Sequence, residues 1–383
     1  MIERAILPEL RRCATEYPVL TITGPRQSGK TTLARATFPD LKYVNFERPD
    51  TRSLFNEDPA GFLAAHAEGA IFDEIQHTPE ICSWLQPMVD QDLRPGRFVL
   101  TGSQNFGLTN QVTQSLAGRT AILELHPFSV AEMKQGDFLN DDLDMALWSG
   151  AYPPVHDHSL RPSRWYSDYV ATYLERDLRQ LTAIHDLAVF QRFLKLAASN
   201  VGQQINASRM GGDVGVDQKT IERWLSLLEV SYLAIRLQPF RTNIRKRLVK
   251  APKLYFLDTG LVCHLLGIQS RQQLTTHPLR GAVFENWVAA ELMKQGANQG
   301  TRPALHFWRT YDGQEVDFLR LRGDDMDLIE CKSGQTVHPR FLGPLNRVAD
   351  LFPDIRVRRQ LIYGGDEALD LREVQIRSWR DVG

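Results

Sequence analysis

One run of eight residues, G-P-R-Q-S-G-K-T at Gly24–Thr31, constrains the fold more than any other part of the sequence. It matches the pattern Gly-x-x-x-x-Gly-Lys-Ser/Thr, in which glycines allow backbone N–H groups to wrap around phosphates. The apolar stretch Val19–Thr23 precedes it and the helix-like stretch Thr32–Thr37 follows it. Because a helix N-terminus carries partial positive charge, this order predicts a phosphate-binding loop between a strand and a helix. A chance glycine-rich turn is the alternative, and the flanking elements disfavour it.

The residue types within the run predict separate tasks on a nucleotide. Lys30 is expected to reach the β- and γ-phosphates, and the Thr31 hydroxyl to bind Mg²⁺. ATP and Mg²⁺ are therefore the expected cofactors. The residues expected to surround the phosphates are Gly24, Pro25, Arg26, Gln27, Ser28, Gly29, Lys30, Thr31 and Thr32.

Two acids follow a second apolar strand at Ala70–Glu74. Asp73 is predicted to belong to the Mg²⁺ shell, and Glu74 to orient and deprotonate the attacking water. An ordinary strand end with solvated acids is the alternative, and it is disfavoured by the phosphate-binding loop upstream.

Two further polar residues are candidates for contact with the γ-phosphate. Ser103 follows the strand Phe98–Thr101 and is predicted to sense that phosphate, the alternative being a capped strand-to-helix turn. Arg119 is a candidate arginine finger, acting in its own or a neighbouring subunit, because phosphoryl transfer requires a cation on the developing charge. A solvated loop arginine is the alternative.

Short apolar runs alternate with helix-like stretches in the first third of the chain, which predicts a parallel sheet covered on both faces. The predicted strands are Pro18–Thr23, Tyr43–Phe46, Ala70–Phe72, Arg97–Thr101 and Thr120–Leu125. With 383 residues, the chain is long enough for two or three domains.

The combination of several runs resembles prokaryotic AAA-type P-loop ATPases that are fused to a C-terminal domain of unknown function. The ATPase part carries D-E-I-Q at Asp73–Gln76, L-T-G-S-Q at Leu100–Gln104, L-A-G-R at Leu116–Arg119 and Y-L-E-R-D-L at Tyr173–Leu178. Two further segments resemble the C-terminal domain of that group: Ala251–Gly260 and Gly281–Leu292. The resemblance covers nearly the whole chain and implies ATP binding and hydrolysis.

A predicted hairpin near the C-terminus gathers acids. If Arg322–Asp325 forms a four-residue loop, Leu321 pairs with Met326, Asp317 lies opposite Glu330, and Glu315 lies opposite Lys332. Strict alternation then places Glu315, Asp317, Glu330 and Lys332 on one face. Because like charges opposite each other are destabilising, a divalent metal ion is the natural compensation.

The residues Asp317 and Glu330-Cys331-Lys332 also resemble the D…E-x-K signature of PD-(D/E)XK nucleases. Glu285, on the preceding helix, resembles the additional acid of that fold, and the predicted order of helix, three strands, helix and strand agrees with it. The resemblance implies that Asp317 and Glu330 bind Mg²⁺ and that Lys332 positions or activates water. Alternatives are a solvated face with Glu315 and Lys332 paired, or a binding module that no longer cuts.

The middle of the chain resembles a winged helix-turn-helix, with a helix predicted over Asp217–Glu229 and Asp217 as its N-cap. The following segment, Ser231–Leu257, contains no acid and seven basic residues: Arg236, Arg241, Arg245, Lys246, Arg247, Lys250 and Lys253. The predicted DNA contacts within it are Arg241, Arg245, Lys246, Arg247 and Lys250. A solvated loop or a protein-docking surface is the alternative.

Charge and composition limit the remaining possibilities. Lys plus Arg number 45 and Asp plus Glu 46, so the net charge of −1 excludes a wholly basic surface and leaves local DNA contact. The chain has neither a signal-peptide pattern nor an apolar stretch of membrane length, and its four cysteines lack metal-ligand spacing. A cytoplasmic location is therefore expected.

The fold prediction is an α/β chain in three parts. They are an AAA-type P-loop domain with trailing helices (1–180), a winged-helix-like domain (181–250) and a PD-(D/E)XK nuclease-like domain (251–383). Three functions follow as hypotheses: an ATPase acting on or with DNA, an ATP-gated metal-dependent nuclease, and an ATP-dependent switch for protein partners. A homo-oligomer is compatible with all three.

Overall fold

The computed structural model describes residues 2–103, 114–139, 141–174, 186–240, 250–371 and 373–382. The chain divides into two compact units. Unit 1 comprises residues 1–128, 230–232 and 296–301, and unit 2 comprises residues 129–229, 233–295 and 302–383. In the described ranges, no helix is long and apolar enough to cross a membrane.

Unit 1 is built on a parallel sheet whose strand order is β2-β3-β4-β1-β5 among the described residues. Its strands are β1 (Val19–Thr23), β2 (Lys42–Asn45), β3 (Ala70–Asp73), β4 (Phe98–Gly102) and β5 (Thr120–Glu124). The predicted α/β fold with a parallel sheet is confirmed here. Val19 and Leu20 are consecutive buried residues of β1, and they belong to two different hydrophobic core clusters. Both faces of the sheet are therefore covered, as parallel sheets require.

Helices of unit 1 follow the strands in the expected alternation. They are α1 (Leu7–Glu16), α2 (Lys30–Thr37), α3 (Pro49–Glu57), α4 (Pro59–Ala64) and α5 (Ile81–Gln91), with a 3₁₀ turn at Ile75–His77. Helix α2 begins at Lys30, two residues before the predicted start. Gly29, with φ +95°, directly precedes it, so the last glycine of the loop is the point where the chain turns into the helix.

The sheet register brings three strand ends to one edge. Thr23, the last residue of β1, lies beside Gly102 of β4, and Phe72 of β3 lies beside Leu100 of β4. Because β4 is between β1 and β3, the residues that follow β4 lie between the phosphate-binding loop and the acids at the end of β3. The phosphate-binding loop, the acids Asp73 and Glu74, and Ser103 are therefore assembled at the carboxyl edge of the sheet.

The first part of unit 2 is mainly helical. Its helices are α6 (Val130–Gln135), α7 (Leu143–Ser149), α8 (Pro153–Asp157), α9 (Pro162–Tyr169), α10 (Leu187–Ser199), α11 (Ala207–Val214) and α12 (Gln218–Val230), with a π-helical turn at Val170–Leu174. The Asp217 carboxylate accepts a 2.7 Å hydrogen bond from the Thr220 N–H, so Asp217 caps α12 as predicted. Strands β6 (Ala234–Leu237) and β7 (Lys253–Phe256) pair antiparallel after it. The winged-helix interpretation of these elements stays a prediction.

The second part of unit 2 contains a mixed sheet with strand order β12-β13-β11-β10-β9-β8. Its elements are α13 (Thr259–Leu265), α14 (Arg271–Thr275), α15 (Arg280–Asn298), β8 (Ala304–Arg309), β9 (Glu315–Arg322), β10 (Asp325–Lys332), a 3₁₀ turn (Pro339–Leu342), α16 (Gly343–Ala349), β11 (Arg356–Tyr363), β12 (Leu369–Leu371) and β13 (Val374–Ser378). The predicted order of helix, three strands, helix and strand is present as α15, β8–β10, α16 and β11.

The run A-P-K-L-Y-F-L-D-T-G has a structural role in unit 2. The Asp258 carboxylate accepts hydrogen bonds from the Tyr166 hydroxyl (2.6 Å) and from the N–H groups of Ala151 (2.7 Å) and Leu261 (2.8 Å). A Cβ on Gly260 would collide with the Tyr166 ring. One buried carboxylate therefore caps α13 and ties it to α9 and to the chain after α7.

Candidate functional site

The phosphate-binding loop adopts a backbone that needs its glycines. Gly24 has φ +145°, and a Cβ there would collide with the Leu125 carbonyl oxygen. Gln27 also lies in the left-handed region, with φ +65°. The loop is therefore packed against the chain that follows β5, and its shape depends on the absence of a side chain at position 24.

Arg4 holds this loop from outside. Its guanidinium donates hydrogen bonds of 2.6 Å to the carbonyl oxygens of Ser28 and His126, and it stacks over the Phe128 ring. Because the C=O and N–H of a trans peptide point in opposite directions, this contact turns the Gly29 N–H away from Arg4. Sequence reasoning missed Arg4, because a single arginine before a helix carries no local signal.

Lys30 is buried inside the loop. Its ammonium donates to the carbonyl oxygens of Gly24 (3.1 Å) and Pro25 (2.8 Å). Burial lowers the pKa of Lys30 to about 8, although the carboxylates of Asp73 and Glu74 favour its charged form. A buried cation without a directly bonded carboxylate is suited to receive an anion.

Asp73 is the meeting point of the site. Its carboxylate accepts from the Thr31 hydroxyl (3.0 and 3.1 Å), the Tyr43 hydroxyl (2.7 Å) and the Thr101 hydroxyl. The structure thus brings together Thr31 and Asp73, the two predicted Mg²⁺ ligands of the ATPase part. Tyr43 and Thr101 were missed, because each meets Asp73 from another strand of the sheet.

Glu74 and Ser103 are connected through Gln76. The Gln76 amide donates to the Glu74 carboxylate and, at 3.2 Å, to the Ser103 hydroxyl. Glu74 has φ +56°, a left-handed conformation that is uncommon outside glycine and asparagine. Ser103 is fully buried. The neighbouring Gln104 lies outside the described residues.

The donor set and the unfilled polar atoms of this edge fit a nucleotide with Mg²⁺. The Thr31 hydroxyl and Asp73 carboxylate are hard oxygen ligands of the kind Mg²⁺ takes. The Ser28 hydroxyl and the Gln76 side-chain carbonyl are buried and have no hydrogen-bond partner among the described residues. Such atoms in a native fold call for a missing ligand or water.

Arg119 lies elsewhere. It precedes Thr120, which pairs with Val19 at the amino end of β1, about 16 Å of strand away from the loop. Its guanidinium binds the Asp90 carboxylate (3.0 Å) and the Ala117 carbonyl oxygen (3.0 Å). The expectation of an arginine finger within its own subunit is therefore not met. A contribution to a neighbouring subunit stays a prediction.

The hairpin of unit 2 has the predicted register and a shorter loop. Leu321 pairs with Met326, as expected, but pairing continues to Arg322 and Asp325. The turn therefore contains only Gly323 and Asp324, with Gly323 at φ +59°. A glycine at the first central position is typical of two-residue hairpin turns.

A bulge interrupts the alternation of side chains in β9. In the pairing with β8, His306 lies opposite Leu319 but Trp308 lies opposite Val316, so two residues, Asp317 and Phe318, face one. Val316 and Leu319 consequently pack into the same core cluster. The predicted strict alternation was wrong here, since a β-bulge re-aims the side chains on either side of it.

Glu315 has different partners from those predicted. It pairs with Lys253 (2.5 Å) and Arg309 (2.8 Å) instead of Lys332. Lys253 also contacts Glu285 at 3.0 Å and is 2% exposed. Lys253, which the sequence grouped with the basic stretch, is thus a buried ion-pair residue.

The D…E-x-K residues, Asp317, Glu330 and Lys332, are linked by hydrogen bonds at the carboxyl end of β10. Lys332 donates to the Glu330 carboxylate (2.6 Å) and to the Cys331 carbonyl oxygen (3.0 Å). The Asp317 carboxylate accepts from the Cys331 N–H at 2.8 Å. One oxygen of Glu330, Oε2, is buried and has no hydrogen-bond partner within the part of the chain that the structure describes.

Burial and mutual repulsion shift the acids of this cluster. Burial, with Asp317 as the next cause, raises the pKa of Glu285 to about 7 and the pKa of Glu330 to about 8. Burial also raises the pKa of Asp317. The Tyr255 hydroxyl hydrogen-bonds to Glu285. Across the described ranges, no three His, Cys, Asp or Glu side chains form a group that could hold a metal ion.

The basic stretch is only partly described. Arg236 is engaged by Glu229 (2.5 Å) and Glu222 (2.8 Å), so it is committed to its own hairpin and helix α12. Lys250 is exposed. The other four predicted DNA contacts lie outside the described residues: Arg241, Arg245, Lys246 and Arg247.

Comparison with known proteins agrees with this geometry. A family model described as an AAA domain matches residues 16–134. An uncharacterized protein of Mycobacterium tuberculosis is 34% identical over 321 residues, which is 82% of this chain and 70% of the relative. The chain belongs to this family of AAA-domain proteins. A more distant member from Haemophilus influenzae is 22% identical over 346 residues, 80% of each chain.

The AAA-domain protein therefore carries an AAA-type P-loop ATPase domain in its N-terminal part. Residues 140–272 and 280–380 match two models that are described only as domains of unknown function. The winged-helix and nuclease-like interpretations stay predictions. Among solved structures, a Walker-type ATPase of Pyrococcus abyssi matches with a TM-score of 0.47 and 14% identity, covering 69% of this chain and 96% of that one.

Proposed function

We propose that this AAA-domain protein is a Mg²⁺-dependent ATPase whose site lies at the carboxyl edge of the unit 1 sheet. One observation carries the proposal: the Thr31 hydroxyl is hydrogen-bonded to the Asp73 carboxylate directly beside the buried Lys30. A loop hydroxyl, a strand-end acid and a loop lysine are the parts that P-loop phosphoryl transfer requires.

Each residue has a task in this proposal. The backbone N–H groups of Gly24–Thr32 bind the phosphates, and Lys30 exchanges the Gly24 and Pro25 carbonyls for phosphate oxygens. Thr31 and Asp73 would hold Mg²⁺, which neutralises the charge that develops on the phosphates. Glu74 orients the attacking water and accepts its proton.

The Gln76 bridge supports a sensing role for Ser103. Since one amide group contacts both Ser103 and Glu74, a γ-phosphate that attracts the Ser103 hydroxyl also changes the hydrogen bonding of Glu74. The Glu74 carboxylate would thus be free to bind the attacking water and accept its proton only when ATP is present.

Three substitutions test the ATPase proposal by phosphate release and nucleotide binding. Lys30→Ala should abolish both, because the phosphates lose their buried cation. Glu74→Gln should retain ATP binding while turnover falls by about 10²–10⁴, the usual contribution of a general base. Lys195→Ala removes an exposed lysine as the matched control. Normal turnover in Lys30→Ala would refute the site.

We further propose that the ATP cycle acts with DNA through the stretch 241–250. The support is its charge, since residues 241–250 include five basic residues and no acid. Phosphate contact by such a stretch makes affinity fall steeply with salt.

DNA binding measured at several salt concentrations tests this second proposal. Replacing Arg245, Lys246 and Arg247 by alanine should reduce the salt slope by about 1 for each lost phosphate contact. Replacing the exposed Arg161 and Arg164 is the control. Unaltered slope and affinity, or an ATPase rate that no nucleic acid changes, would favour the protein-partner switch instead.

A further inference from the structure

Four carboxylates of unit 2 form a group that we call the acidic cluster: Glu285, Glu315, Asp317 and Glu330. A nuclease interpretation needs a divalent cation among them. The structure shows which cations are already present, and they belong to the chain itself.

Lys253 contacts two carboxylates of the acidic cluster directly. Its ammonium lies 3.0 Å from Glu285 Oε1 and 2.5 Å from Glu315 Oε1, and its charge also acts on Asp317. The side chain is 3% exposed. An ammonium held by two carboxylates in the interior is strongly stabilised as a cation, because its removal would leave unpaired buried charge.

Strand β7 fixes Lys253 in this position. The Asn286 side chain accepts a 2.6 Å hydrogen bond from the Phe256 N–H and donates a 2.9 Å bond to the Phe256 carbonyl oxygen. The other edge of β7 pairs with β6, where Lys253 lies opposite Leu237. Lys253 is therefore held in place by a strand that is hydrogen-bonded along both edges.

Two more cations, Arg309 and Lys332, offset part of the remaining negative charge of the acidic cluster. Arg309 binds Glu315 at 2.8 Å, and Lys332 binds Glu330 at 2.6 Å and the Cys331 carbonyl oxygen at 3.0 Å. Three positive charges thus face four carboxylates, so the net charge is −1 with every acid ionised. Glu330 Oε2 lacks a partner, but it is the one such oxygen of the cluster among the described residues.

We propose that Lys253 is a resident cation of the acidic cluster, so that this cluster of described residues binds no divalent cation and does not cut DNA. A dication at Glu285 or Glu330 would share an oxygen that lies 3.0 Å from the Lys253 ammonium or 2.6 Å from the Lys332 ammonium. With every acid ionised, the three resident cations reduce the charge that attracts a dication from −4 to −1, which leaves little to offset the dehydration of the ion. The residues of the D…E-x-K signature therefore do not fit a metal centre in this chain.

Mn²⁺ binding to the full chain without nucleotide tests the proposal, with free Mn²⁺ measured by electron paramagnetic resonance. Wild type and Asp317→Asn should bind equally, because any Mn²⁺ at the phosphate-binding loop is common to both. Lys253→Met should gain an additional Mn²⁺ site, and adding Asp317→Asn to it should remove that site. Lys253→Arg, which keeps the charge, and Lys195→Met, at an exposed lysine, should behave as wild type.

Two results would overturn the proposal. One is a Mn²⁺ site in wild type that Asp317→Asn abolishes. The other is a folded Lys253→Met chain, judged by circular dichroism, that gains no site. If Lys253→Met does not fold, the comparison of Mn²⁺ binding between wild type and Asp317→Asn tests the proposal by itself. Cleavage of supercoiled DNA with Mn²⁺ is a second readout, and wild-type cleavage that Asp317→Asn removes also contradicts the proposal.

Discussion

Lys30 is the residue at which burial and charge oppose each other most directly in the nucleotide site. Its pKa is lowered to about 8 by burial, so near pH 8 a substantial fraction of the side chain is neutral. Phosphate groups favour the charged form. Nucleotide binding should therefore raise the pKa of Lys30 and take up a proton.

Calorimetry in buffers of different ionisation enthalpy measures this proton directly. At pH 8 the observed binding enthalpy of wild type should change with the buffer in the direction of proton uptake, and affinity should fall as the pH rises further. Lys30→Arg stays charged throughout this range, so its binding enthalpy should not depend on the buffer. A buffer-independent wild type at pH 8 would contradict the assignment.

At the scale of elements, the edge strand β2 contributes more to the site than its exposure suggests. It is the least buried strand of the unit 1 sheet, yet its Tyr43 hydroxyl donates a 2.7 Å hydrogen bond to Asp73. The Arg35 guanidinium covers the Tyr43 ring, and burial with the Asp73 contact raises the pKa of Tyr43. The strand therefore orients a carboxylate that belongs to its neighbour β3.

Tyr43→Phe should weaken Mg²⁺ use without preventing ATP binding. Since one hydrogen bond is worth about 1 kcal/mol, the Mg²⁺ concentration for half-maximal turnover should rise about fivefold. Titration of ATPase activity with Mg²⁺ measures this shift. Tyr311→Phe, at an exposed tyrosine, is the control. An unchanged Mg²⁺ dependence would show that Tyr43 does not orient Asp73.

The bulge in β9 shows that the geometry of a strand depends on the strands with which it pairs. The turn residues of the β9–β10 hairpin predict its register correctly, because turn chemistry is local. The position of the bulge depends on the pairing of β9 with β8, which no pattern within β9 reveals. The ion pair of Glu315 with Lys253 was missed for a similar reason, because Lys253 comes from β7, a strand outside the hairpin.

At the scale of the whole molecule, contacts between distant segments are predictable only where a motif and a rule of sheet topology bring the segments together. The parallel sheet of unit 1 follows from its apolar runs, and the Thr31–Asp73 meeting follows from the rule that parallel strands end at one edge. Arg4, Tyr43 and Lys253 reach their partners across 24, 30 and 32 residues of sequence. Arg4 and Tyr43 belong to no recognisable motif, and the run Ala251–Gly260, which contains Lys253, does not reveal the partners of that lysine.

The Arg4 contact bears on where the nucleotide-binding part of this chain begins. The matched AAA domain starts at residue 16, whereas the guanidinium that holds the Ser28 carbonyl comes from residue 4. A fragment cut at the family boundary would retain every residue of the phosphate-binding motif and lose the group that fixes its shape. The functional boundary of the ATPase thus lies at least twelve residues upstream of the one that family similarity marks.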